Sequence, residues 1–87
     1  MPYIRKELRG PIDIELQDLN YAVNGPGDLN YAITRLVAMY MGAPTYAKIN
    51  EAVGILECVK LELYRRLATP YENQKKIDNG DIPEYSG

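Results

Sequence analysis

Apolar residues recur at intervals of three and four along most of this chain, and almost nowhere at two. Ile12, Leu16, Leu19 and Val23 follow one another at spacings of four, three and four, the periodicity of an amphipathic helix. Pro11 stands at the first helical position, where a missing N–H costs nothing. Asp13 and Glu15 occupy the first turn, where the helix dipole favours negative charge. The breaker run Asn24-Gly25-Pro26-Gly27 predicts a tight turn. Asp28 then reads as the N-cap of a second helix carrying Leu29, Ala32, Ile33, Leu36, Val37 and Tyr40 on its core-facing side, and Gly42 closes it.

The third pattern is the longest. Tyr46 to Ala68 contains no proline and, with Thr45 as its cap, predicts one helix of about 23 residues and ~34 Å. Ile49, Ala52, Val53, Leu56, Val59, Leu63 and Leu67 fall on one broad face. Lys48, Glu51, Glu57, Glu62, Arg65 and Arg66 occupy the opposite arc, yet that arc also holds Ile55, Cys58 and Leu61. A helix apolar beyond one stripe is buried on more than one side. Two further helices and an arm are too little to wrap it, so Ile55, Cys58 and Leu61 predict contact with a second subunit. Thr69-Pro70-Tyr71-Glu72 has the form of a capping box with proline at the first helical position. It predicts that the central helix stops there and a short one runs to about Ile77, ended by Asn79-Gly80. Residues 1–10, with Tyr3, Ile4 and Leu8, read as an N-terminal arm, and residues 81–87 as a tail without periodicity.

The expected fold class is therefore all-α. The chain should form a single domain over residues 1–87: a small antiparallel helical bundle with one long central helix, assembled as a homo-oligomer. Length supports this, because a compact monomer of 87 residues has a radius of gyration of about 12 Å and the central helix would cross its whole body. The pentapeptide Asp-Leu-Asn-Tyr-Ala occurs at 18–22 and again at 28–32, but closes one helix and opens the next, so no repeat architecture follows.

Charge and composition narrow the chemistry. Ten basic and twelve acidic residues give a net charge of −2, which argues against coating an extended nucleic acid. There is no histidine and one cysteine, so the commonest general base is missing and a structural zinc site is excluded. Cys58 has no partner for an internal disulfide, and no apolar run is long enough for a membrane span or a signal peptide. The expectation is a soluble, cytoplasmic protein without cofactor. Eight tyrosines, with no tryptophan or phenylalanine, suit wet interfaces and ligand stacking.

Two stretches resemble a small uncharacterised family of prokaryotic and phage proteins. One is Gly27-Asp28-Leu29-Asn30-Tyr31-Ala32-Ile33-Thr34. The other runs through Val53-Gly54-Ile55-Leu56-Glu57, Glu62-Leu63-Tyr64-Arg65-Arg66 and Pro70-Tyr71-Glu72 to Asn79-Gly80-Asp81. The resemblance implies a bacterial or phage origin and carries no settled activity. Small helical phage proteins of this size include oligomeric sponges for nucleotide signals, an analogy of size and context rather than of motif.

Candidate chemistry is spread over three places. Asn30, Tyr31 and Thr34 could line a pocket at a helix N-terminus or could satisfy nearby backbone. Lys60 falls within the apolar face of the central helix and must snorkel, pair with a carboxylate or meet an anionic ligand. Arg65 and Arg66, followed by Lys75 and Lys76, form a basic cluster in which Tyr64 and Tyr71 could stack on a base; the alternative pairs Glu62 with either arginine. The leading reading is a non-enzymatic homo-oligomer binding a small anionic ligand, a nucleotide, through Asn30, Tyr31, Thr34, Lys60, Arg65, Arg66 and Tyr71. The alternative is a module that binds a host protein. A magnesium-dependent all-α pyrophosphohydrolase comes third, since Glu51 and Glu62 share a face but Glu57 points elsewhere.

Overall fold

The computed structural model describes residues 4–86. Among them there is no strand, and the helical fold class is as expected. The helices are α1 (Gly10–Ala22), α2 (Pro26–Met41), α3 (Tyr46–Leu63) and α4 (Thr69–Asn79). A 3₁₀ turn, Lys6–Leu8, precedes α1, and one wide π turn, Tyr64–Ala68, joins α3 to α4. Tyr3 of the expected arm and Gly87 of the tail lie outside the described residues. The chain divides into two compact units, Met1–Gly42 and Ala43–Gly87.

In the first unit, α1 carries Pro11 at its start, and the arm is held to it where Arg9 Nε donates to the carbonyl of Ile4 at 3.1 Å. Leu16, Leu19 and Val23 face Leu29, Ala32, Ile33 and Leu36 across a cleft of about 170 Å³ in which Asn20 is the polar lining residue. The turn between them is shorter than the breaker run suggested. Helix α2 begins at Pro26, with Gly25 as its N-cap at φ 131°, ψ 174°. Asp28 is therefore not the N-cap. It sits in the first turn and its Oδ2 accepts from the Asn24 N–H at 2.9 Å, tying the preceding loop back to the helix. Proline tolerates the first helical position, so the helix can start two residues earlier than Asp28 alone would indicate. Gly42 caps the far end at φ 62°.

In the second unit, Thr45 caps α3 as expected, accepting from the Lys48 N–H at 3.2 Å. The end of the helix differs from expectation. Thr69 has φ −62°, ψ −49°, makes no side-chain cap, and its N–H bonds the carbonyl of Tyr64 five residues back. Glu72, the other half of the expected capping box, instead accepts from the Tyr64 hydroxyl at 3.2 Å. The helix thus runs without a break from Tyr46 to Asn79, and the π turn is where it meets Pro70. A proline inside a helix lacks one N–H and its ring presses on the carbonyl four residues earlier. Widening the preceding turn to i→i−5 bonding relieves both. Gly80, at φ 82°, stops the helix two residues beyond Ile77, and Pro83–Tyr85 form a turn closed by Tyr85 N–H to Ile82 C=O at 3.2 Å.

Among the described residues only Ala52 is buried, at 7% exposure, while the exposed large apolar side chains run from 40% at Leu19 and Leu56 to 86% at Tyr21. Both faces of α3 are open. Val53, Val59 and Leu63 on one side are more exposed than Ile55 and Leu61 on the other, and Cys58 is exposed as well.

Candidate functional site

Each candidate residue sits on a helix, and its local partners follow from helical spacing. Thr34 Oγ1 donates to the carbonyl of Asn30 at 2.8 Å, one turn back on α2, so its hydroxyl serves the helix backbone. The phenol of Tyr31 accepts from Arg35 Nη1 at 3.1 Å, and the same guanidinium lies 5.8 Å from the ring centroid. Arg35 thereby joins Tyr31 as a cationic, aromatic pair on α2 that the periodicity argument passed over. Its i, i+4 position was the available signal.

Lys60 is not buried. Its ammonium pairs with Glu57 Oε1 at 3.2 Å, and the two side chains are 66% and 52% exposed. Of the options open to a lysine in an apolar face, this chain uses the carboxylate, at a rim where such a pair contributes ~0.2–1 kcal/mol. Glu62 holds both arginines: Arg65 Nη2 lies 2.8 Å from Oε2 and Arg66 Nε lies 2.8 Å from Oε1. Its side chain is only 17% exposed while those of the arginines stay open at 64% and 68%. The carboxylate therefore orients two guanidinium forks on the π turn, leaving each fork at the surface. Tyr71 lies under Lys75, whose ammonium is 5.5 Å from the ring centroid.

The tail adds a feature that residue patterns did not reveal. Residues after Gly80 turn back beside α4, and Lys75, Lys76, Asn79, Ile82 and Tyr85 line a wide cleft of about 610 Å³ together with Glu72 and Asp81. Lysines and carboxylates share it, so its field is mixed rather than strongly positive. Among the described residues no three His, Cys, Asp or Glu side chains come together as a metal-ion site, and no helix is long and apolar enough to cross a membrane. The carboxylate convergence that a magnesium-dependent hydrolase needs is thus missing from the described part of a single chain.

Residues 1–82 match the model of a family described as a domain of unknown function, DUF6899. The chain belongs to the DUF6899 family. No curated protein and no solved structure matches it. The match extends across both units of this DUF6899 chain and takes in every candidate ligand residue from Asn30 to Tyr71.

Proposed function

We propose that this DUF6899 protein acts by assembly and sequestration: a non-enzymatic, cytoplasmic homo-oligomer of bacterial or phage origin. Its helices, packed antiparallel across copies, would hold a small anionic ligand of the nucleotide class. The observation that carries this reading is the apolar surface. Within the unit Ala43–Gly87, α3 leaves Ile49, Val53, Val59 and Leu63 on one side, and Ile55 and Leu61 on the other, at 44% exposure or more.

The ligand class rests on the segment from Tyr64 to Lys76, where Arg65, Arg66, Lys75 and Lys76 alternate with Tyr64 and Tyr71. Guanidinium forks suit phosphate oxygens, and exposed phenol rings suit a base. Lys60, one turn before, belongs to the same segment, and Asn30, Tyr31 and Thr34 on α2 are further candidates for orienting the ligand. The exposure of Tyr21, Tyr46 and Tyr85 at 79% or more favours a second reading, a surface that binds a host protein.

The test is a purified, full-length sample. Light scattering should give a dimer or larger at micromolar concentration, and a monomer would refute the assembly. The eight tyrosines absorb near 280 nm and there is no tryptophan, so a co-purified nucleotide would appear as excess absorbance near 260 nm. A clean spectrum with no thermal shift across a nucleotide panel would remove the ligand and leave the host-protein reading.

A further inference from the structure

We propose that Glu62 is a positioning residue that sets Arg65 and Arg66 as a two-pronged seat for one phosphate group. This rests on the anionic-ligand reading above and assigns the part of the site that meets the phosphate. All three residues lie on one continuous helical stretch, so the seat is complete within the unit Ala43–Gly87. Neighbouring residues on a helix point about 100° apart, and left to themselves two adjacent arginines diverge. Residues three and four ahead, however, both neighbour the side chain they follow. Glu62 uses this spacing with both of its oxygens: Oε2 accepts from Arg65 Nη2 and Oε1 from Arg66 Nε, each at 2.8 Å. The shared carboxylate is what gathers the two guanidiniums.

The gathered pair keeps its attraction for an anion. Two guanidiniums and one carboxylate leave a net charge of +1, whereas the Lys60–Glu57 pair one turn earlier sums to zero. The Glu62 side chain is the inner member, 17% exposed against 64% and 68% for the arginines, so an anion arriving from solvent meets the guanidiniums before the carboxylate. Each guanidinium carries five N–H donors in a planar fork, and the bond to Glu62 takes one of them. A carboxylate ligand has two oxygens and fills one fork. A phosphate has three to share between two forks, which makes it the matching group. The backbone beneath is held as well. Across the π turn, the Tyr64 hydroxyl donates to Glu72 Oε1 at 3.2 Å, and Pro70 fixes φ just beyond it. Long side chains ordered before the ligand arrives lose less freedom when it binds.

The experiment titrates the full chain with inorganic pyrophosphate, a probe that carries phosphate without a base, by isothermal calorimetry. Glu62→Gln, Arg65→Lys and Arg66→Lys are titrated in parallel, and circular dichroism checks that each keeps the helix content and unfolding midpoint of the unsubstituted chain. Glu62→Gln should weaken binding about tenfold, the effect of leaving the two arginines to be ordered by the ligand, even though it removes a negative charge beside the site. Were Glu62 only a neighbouring charge, the same substitution would tighten binding, so an unchanged or higher affinity overturns the positioning role. Each lysine variant keeps the charge but loses the fork and should also bind about tenfold more weakly. Unchanged affinity in either one overturns the two-pronged seat. An unsubstituted chain that does not bind pyrophosphate overturns the seat too; a thermal shift with a nucleotide would then keep the ligand reading standing without it, and no shift across the nucleotide panel would remove both.

Discussion

Thr69→Ala separates two accounts of where the long helix ends, because they predict opposite signs. If Thr69 capped α4, removing its hydroxyl would cost about 1 kcal/mol. In the structure the residue is helical at φ −62°, ψ −49°, exposed, and without a side-chain cap bond. Its N–H is bound to Tyr64 C=O, and Glu72 is engaged by the Tyr64 hydroxyl rather than reaching back. An exposed threonine in the interior of a helix is less favourable than alanine by up to ~0.7 kcal/mol, because its branched side chain loses rotamer freedom there. Thr69→Ala should therefore stabilise the chain by about 0.5 kcal/mol, which for a domain of this size raises the midpoint by about 2 to 4 °C. The assay is thermal unfolding followed by circular dichroism, with both proteins at one concentration, since an assembling chain gains stability by mass action. A midpoint lowered by 4 °C or more would refute the continuous helix and restore a capped break before Pro70.

Two further substitutions probe the ends of helices by the same assay. Thr45→Ala removes the bond to the Lys48 N–H and should destabilise by about 1 kcal/mol; no change would mean the N-terminus of α3 is satisfied by something else. Gly25→Ala forces a side chain into φ 131°, ψ 174°, a region open essentially to glycine, and should cost about 1–3 kcal/mol. Its Cβ would meet nothing within 4 Å, so a neutral result would show that the backbone there relaxes freely.

The comparison of these residues with the bare sequence divides along a physical line. What one helix needs is written locally, in residues three or four apart. The helical fold class, the Thr45 cap, the Gly42 and Gly80 stops and the Glu62–Arg65–Arg66 cluster were all legible, because each rests on spacing along one strand of chain. Lys60 with a carboxylate and Thr34 on the backbone were among the options that their positions allowed. The failures came where two local signals compete. Thr69-Pro70-Tyr71-Glu72 satisfies the rule for a helix start, yet the helix continues through it, because a π turn absorbs the proline at small cost and keeps the backbone bonds that a break would expose. Asp28 satisfies the rule for a cap, but Pro26 is permitted at the first helical position and the helix begins there.

The sequence by itself determined that nearly every apolar residue lies at helical spacing and that the central helix is apolar on two sides, since both follow from 100° per residue. Tertiary structure decided how much of that surface one chain covers. Only Ala52 is buried among the described residues, and the tail folds back beside α4 to form a cleft. Periodicity records which face of a helix is apolar, whereas burial depends on what stands opposite it, and no spacing within a single helix encodes that.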